Sequence, residues 1–381
     1  MRQLAAIYAL LIAMASMARL SICSGRRGRG GRGPRLSTSQ PHQLRYAPAV
    51  ELTTDVITEL AVSVGRSSDP LREGAVVNRA WTASVAVVVL AATAGCSTTS
   101  GGSAGGESSK IVQVGASINA WGSILKQLGG AHVQETSIIT NPDTDPHDYE
   151  PTPKDGTVIA KTQLFIENGI GYDSWAAKSL AASPDPSRAV IDVGELVHVP
   201  DGGNPHRWYS PADVTTVADT ITADLKKLDP ADSSYFDARR QEFATVGLAT
   251  YNKLIKDIQT KYAGTPIGAS ESIFAPLAAA LKLELITPPS FLKAISEGTD
   301  PSAADLSTIN SQISGKRIKV YVFNSQNATP DVARQVKAAK AAGIPVSTVT
   351  ETLSPATASF EQWQATQLQA LETALHQATG K

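Results

Sequence analysis

The stretch Asn141-Pro142-Asp143-Thr144-Asp145-Pro146-His147-Asp148-Tyr149-Glu150-Pro151 brings four carboxylates, one imidazole and three prolines into eleven residues. Each proline drives the residue before it toward extended backbone. Asn141, Asp145 and Glu150 are therefore expected to be non-helical, and the stretch to be a stiff loop holding His147 among acids. A surface turn would account for the prolines and aspartates but leaves the histidine unexplained. A second proline-bounded loop, Asn204-Pro205-His206-Arg207-Trp208-Tyr209-Ser210-Pro211, carries His206. Downstream, Ser270-Glu271-Ser272-Ile273-Phe274 and Thr350-Glu351-Thr352-Leu353 each place a glutamate after an apolar run. The only cysteines are Cys23 and Cys96. After Cys96 neither a disulfide framework nor a thiolate metal site is possible, so any metal site there must use imidazole and oxygen ligands.

The elements that must position these side chains alternate. Residues 111–115, 132–139, 164–166 and 189–193 read as strands, with helices over 118–128, 153–162, 174–182 and 212–227. Pro230 to Tyr262 reads as one long helix capped by Asp229, with Pro230 at its first position. Its apolar stripe is Phe236, Phe243, Val246, Tyr251, Leu254, Ile255, Ile258 and Tyr262, and Gly247 counts against continuity. The alternation then restarts, with strands over 266–270, 283–286, 318–323 and 345–350 and helices from 271 through 280 and over 303–313, 331–342 and 360–378. The predicted fold is α/β, two lobes that are each a parallel sheet flanked by helices, joined by one long α-helix. The lobes are expected at 110–229 and 263–381, with the helix at 230–262. Ligands of such sheets gather beyond the carboxyl ends of the strands. His147, His206, Glu271 and Glu351 stand there, two from each lobe.

At these four places the chain resembles the metal receptors of bacterial ABC importers, the zinc- and manganese-binding solute-binding proteins. Asp145-Pro146-His147-Asp148-Tyr149-Glu150-Pro151 is similar to the family's first-histidine motif. Asn204-Pro205-His206-Arg207-Trp208 is similar to its second, where Asp-Pro-His is usual. Ser270-Glu271-Ser272-Ile273-Phe274 resembles the third-ligand segment, and Thr350-Glu351-Thr352-Leu353 the fourth, where Asp is commoner. The resemblance covers about residues 110–381. It implies a metal held by His147, His206, Glu271 and Glu351, captured between the lobes and passed without turnover to an ABC-importer permease in the cytoplasmic membrane. It also implies that the long helix limits lobe closure. Two imidazoles and two carboxylates make a doubly negative shell that one divalent ion neutralises. Four-coordinate nitrogen and oxygen donors suit Zn²⁺, and bidentate carboxylates giving a higher coordination suit Mn²⁺ or Fe²⁺. Zinc-selective relatives often carry a third histidine where Glu271 stands and a His-rich loop between the first two, and this chain has only His198 in that interval. That tilts toward manganese, zinc normally binds a given site more tightly, and both stay open. Asp145, Asp148 and Glu150 are candidates to orient the His147 ring. His132, His198 and His376 read as ordinary surface or core histidines.

Hydrophobic residues at 42% and charged residues at 18% describe a globular chain. Residues 1–96 hold 11 arginines, no lysine and 5 acids, which leaves the remainder acidic and argues against a nucleic-acid partner. Residues 1–75, with the tract Ser24-Gly25-Arg26-Arg27-Gly28-Arg29-Gly30-Gly31-Arg32-Gly33-Pro34-Arg35, read as a low-complexity extension without a role. If the gene starts at a GTG codon for Val76 or Val77, they are untranslated upstream sequence. Residues 76–96 form a second, better export signal: Arg79, an apolar run to Leu90, then Ala91-Ala92-Thr93-Ala94-Gly95-Cys96. Its end resembles a bacterial lipobox, with Thr93 where leucine is usual, and implies lipidation of Cys96. Residues 97–109 are almost wholly Ser, Thr and Gly, a tether of ~20 Å root-mean-square reach. The expected protein is exported, monomeric and anchored at the outer face of the cytoplasmic membrane.

Two rival classes remain. A metallohydrolase would need an open metal position; the chain has no His-Glu-x-x-His stretch, and Gly268-Ala269-Ser270-Glu271-Ser272 breaks the Gly-x-Ser-x-Gly elbow at Ser272. A surface adhesin or structural lipoprotein on the same scaffold is the other.

Overall fold

The computed structural model describes residues 110–381 apart from Asp143, Asp145, His147 and Asp148. The expectations for residues 1–75, 76–96 and 97–109, lipidation of Cys96 included, lie outside the described residues, as do those for Asp145, His147 and Asp148.

The first half runs β1 (Val112–Ile118), α1 (Asn119–Gly129), β2 (Val133–Ile139), α2 (Pro153–Lys161), β3 (Leu164–Glu167), α3 (Ser174–Ala182), β4 (Ala189–Asp192), α4 (Val193–Leu196) and α5 (Pro211–Leu228). A helical connector comes next, containing α6 (Ser233–Glu242) and α7 (Ala249–Tyr262). The second half runs β5 (Pro266–Ala269), α8 (Ala275–Ala280), β6 (Glu284–Leu285), α9 (Pro289–Ser296), α10 (Ala303–Ser314), β7 (Val320–Asn324), α11 (Pro330–Ala341), β8 (Val346–Val349) and α12 (Phe360–Thr379).

Both halves build a four-stranded parallel sheet of the same order, β2-β1-β3-β4 and β6-β5-β7-β8. In each, the chain steps outward from the first strand and then crosses to its other side. The direction of winding therefore reverses between β1 and β3, and between β5 and β7. A crevice opens at such a reversal beyond the carboxyl ends of the strands. In β1, every residue but Gln113 is buried, as a strand covered by helices on both faces requires. On α1 the buried stripe is Trp121, Ile124, Leu125 and Leu128. The largest buried rings include Trp121, Trp208, Trp363, Phe165 and Phe360, and an apolar side chain of this kind contributes roughly 1.5–3 kcal/mol when fully buried.

The connector differs from the single helix expected over 230–262. It opens with a 3-10 turn, Pro230–Asp232, and between α6 and α7 it widens into a π turn, Phe243–Gly247. Asp229 caps nothing with its side chain. Helix interiors tolerate glycine poorly, and Gly247 closes the widened turn. A π turn shifts the helical register of the residues around it, so Val246 leaves the stripe and is 69% exposed. Phe236, Phe243, Tyr251, Leu254, Ile255, Ile258 and Tyr262 stay buried. Helix α9 is an addition to the expected elements; its Pro289 occupies a first-turn position, where a missing N–H costs nothing.

The closing helix α12 begins in a capping box, Ser359 with Gln362, and ends at Gly380 with φ of 70°. It lies on α7 and β8 and reaches α1. There the Phe360 N–H donates to Ser123 Oγ at 2.9 Å and Gln127 Nε2 to Glu361 Oε2 at 2.9 Å. One helix thus joins both halves. No helix among the described residues is long and apolar enough to cross a membrane.

Candidate metal centre

Glu271 follows β5 in extended backbone, with φ of −157° and ψ of −179°. Glu351 follows β8, and its turn is fastened from several sides. Gln326 Oε1 accepts from the backbone N–H of Glu351 at 2.6 Å and of Thr352 at 3.1 Å. Trp363 Nε1 donates to Thr350 Oγ1 at 2.8 Å, and the hydroxyl of the buried Tyr209 donates to the Thr350 carbonyl at 3.0 Å. His206 comes from the other half, in the loop before α5. Asn168, which follows β3, donates Nδ2 to the Pro205 carbonyl at 2.9 Å while its Oδ1 accepts from Trp121 Nε1 at 3.0 Å. The His206 ring packs edge-on against Trp208, with centroids 5.4 Å apart.

These supports bring His206, Glu271 and Glu351 together. One donor atom of each lies within 4.8 Å of the others, and all three residues are buried. His206 Nε2 is 3.2 Å from Glu351 Oε1. The tautomer follows from Asn204. Its Nδ2 donates to the Ser272 carbonyl at 2.7 Å, which leaves Oδ1 as acceptor for His206 Nδ1 at 2.9 Å. His206 Nδ1 therefore carries a hydrogen, which leaves Nε2, facing Glu351, as the ring nitrogen that could coordinate a metal. The same Oδ1 accepts the His206 backbone N–H at 3.0 Å, an Asx turn that fixes the loop as well as the ring.

Two buried carboxylates side by side need donors. Asn324 Nδ2 donates to Glu271 Oε1 at 2.7 Å and to Glu351 Oε1 at 3.0 Å. Asn327 Nδ2 donates to Glu271 Oε2 at 2.8 Å, and Tyr172 OH donates to Glu351 Oε2 at 3.1 Å from the first half. Burial above all, and then the charge of Glu351, hold the Glu271 carboxyl well above the usual carboxylate range, while His206 and the Asn324 amide pull the other way. A divalent ion would offset the repulsion between the two carboxylates and satisfy their oxygens and the imidazole. A cavity of about 400 Å³ between the halves is lined by Tyr172, Asn204, Pro205 and Ser272, residues that border the centre.

Of the residues singled out from sequence, His206, Glu271 and Glu351 are gathered here, and Glu150 is exposed and outside the cluster. The ends of the loop that contains His147 are tied down: the Pro142 carbonyl accepts from Gln326 Nε2, and Tyr149 OH donates to Asp155 Oδ2 at 2.8 Å. Gln326 thus holds both that loop and the Glu351 turn. Sequence reasoning missed Asn324, Asn327, Gln326 and Tyr172. Asn204 alone had a local signal, an asparagine placed to form an Asx turn two residues before a candidate ligand.

The family described as zinc-uptake complex component A periplasmic matches residues 114–374. A manganese-binding lipoprotein, MntA of Halalkalibacterium halodurans, is 27% identical over 165 residues, covering 42% of this chain and 53% of that protein. The iron-binding protein YfeA of Yersinia pestis is 29% identical over 127 residues, covering 32% of this chain and 40% of that one. These matches span about half or less of the relatives' own lengths. Among solved structures, the solute-binding protein FpvC of Pseudomonas aeruginosa in complex with Mn²⁺ shares the fold, with a TM-score of 0.58 at 20% identity, over 70% of this chain and 99% of that one. The chain belongs to the zinc-uptake complex component A family of periplasmic proteins.

Proposed function

We propose that this chain is the extracytoplasmic metal receptor of an ABC importer. It captures one divalent transition metal ion between its two halves and delivers it, without turnover, to a permease in the cytoplasmic membrane. The observation that carries this reading is the buried convergence of His206, Glu271 and Glu351 from opposite halves, with His206 Nδ1 held by Asn204 and Nε2 facing the carboxylates. His147 is the fourth ligand in this reading, supplied from the loop that Gln326 anchors at Pro142. The lobes are residues 110–229 and 263–381, with 230–262 between them, and the chain acts as a monomer. Cys96 anchors it through the tether of residues 97–109, and Asp145 and Asp148 flank His147. Zinc and manganese both fit one or two imidazoles with flexible carboxylates, and the names of the relatives, which include manganese, iron and zinc binders, support that breadth.

Elemental analysis of tag-free protein purified without chelator tests this directly. At least one equivalent of zinc, manganese or iron is expected, with zinc displacing manganese in competition. Protein that acquires none of these ions, even after dialysis against each, would overturn the reading.

A further inference from the structure

A second donor cluster sits away from the centre just described. His132, Asp229 and Asp232 each offer a ligand atom within 4.8 Å of the others. His132 Nδ1 lies 2.7 Å from Asp232 Oδ2. That ion pair alone would be an ordinary structural contact, but it leaves Asp229 unexplained. Asp229 is only 6% exposed, and its Oδ2 is buried with no hydrogen-bond partner among the described residues. A buried carboxylate oxygen with no partner is costly, and the residue caps neither the helix before it nor the turn after it with its side chain.

The surroundings hold the imidazole in place. Tyr235 stacks on the His132 ring, with centroids 4.1 Å apart and planes 30° apart, and Phe236 meets it edge-on at 5.9 Å. Tyr235 OH is itself fixed, accepting the Ala131 N–H at 3.0 Å. The turn before β2 allows this only because residue 130 is glycine: its φ is 53°, and a Cβ there would lie 2.1 Å from Tyr235 OH. The side chains of His132 and Asp232 remain 15% and 29% exposed, so the cluster is open to solvent on one side.

We propose that His132, Asp229 and Asp232 form a second binding site for a divalent transition metal ion. One imidazole nitrogen and two carboxylates neutralise such a cation and give Asp229 Oδ2 its missing partner. Three protein donors with water completing the shell suit Zn²⁺ or Co²⁺ in an exchangeable site, in contrast to the buried centre. The two sites are separate. His132 precedes the amino end of β2, whereas the centre lies beyond the carboxyl ends of the strands. Seven strand residues at ~3.3 Å each put the length of β2 alone, ~23 Å, between those two ends. This proposal does not rest on the function assigned to the centre.

The test is equilibrium dialysis of tag-free protein against a buffered micromolar concentration of free Zn²⁺, with the bound metal read by elemental analysis. In a Glu271→Gln/Glu351→Gln background, which disables the centre, a single equivalent should remain. Adding His132→Ala or Asp229→Asn should remove it. Asp232→Asn, at the most exposed of the three positions, serves as the variant least able to disturb folding, and circular dichroism verifies that each variant is folded. No zinc in the Glu271→Gln/Glu351→Gln background, or an equivalent that persists in the folded variants of His132, Asp229 and Asp232, would overturn the proposal. His132→Ala in the otherwise intact chain should keep one equivalent; its absence would count against the centre rather than against this site.

Discussion

The phenol of Tyr172, which follows β3, donates to Glu351 Oε2, which follows β8, at 3.1 Å. This hydrogen bond crosses from one half of the fold to the other and ends on a buried carboxylate. It links the geometry of the centre to the seating of the two halves. Hydrogen bonds to charged groups contribute about 1.5–3 kcal/mol. Tyr172→Phe should therefore lower the melting temperature of the metal-free protein by a few degrees, about 2–4 °C for each kcal/mol lost in a domain of this size. Differential scanning calorimetry on chelator-treated protein reads this; an unchanged transition would mean that the contact contributes nothing to the empty fold.

Asn324 has a single side-chain amide serving both Glu271 and Glu351. Asn324→Ala should loosen the two carboxylates from their shared donor and weaken metal binding by about 10–100-fold, the usual range for groups that orient metal ligands. Asn327→Ala, which frees only Glu271 Oε2, should weaken it less. Competition against a chelator of known affinity ranks the two. Equal losses, or none at Asn324, would contradict the ordering.

Glu167 is a buried carboxyl at the end of β3, paired in register with Asp192. Burial first, then the charges of Asp173 and Asp192, push it up to about 8 from 4.5. The folded chain holds a proton here that the unfolded chain releases, so stability falls as pH rises between those two values. Glu167→Gln removes that loss. Urea unfolding at about pH 5 and about pH 9 should show the variant gaining on the parent chain as pH rises. A gain that shrinks with pH would have the wrong sign.

Much of this was legible in the sequence because local periodicity and turn chemistry decide it. The apolar run at β1, the stripe on α1 and the proline-started helix α5 all announced themselves, and so did the positions of His206, Glu271 and Glu351 after strands or in helix-entry loops. What escaped was settled by contacts distant in the chain. Asn324, Asn327 and Gln326 are ordinary polar residues after β7 until the fold sets them against Glu271 and Glu351. His132 looked ordinary because its partner, Asp232, lies in the turn that replaces the start of the expected long helix. Asp229 looked like the cap of that helix, and only the 3-10 turn after it showed otherwise. The exposed Val246 records the same limit, since a π turn breaks the helical period from which the stripe was read.

The measurement that tests the central claim most directly is the metal-induced shift in thermal unfolding of the intact chain and of His206→Ala, Glu351→Gln and His147→Ala. Binding stabilises a fold by mass action, by ~4 kcal/mol at a thousandfold excess over the dissociation constant. With zinc or manganese in such excess, the intact chain should melt several degrees higher, and each variant should lose most of that shift while staying folded. Variants of His206 and Glu351 that keep the full shift would contradict a metal centre at this place.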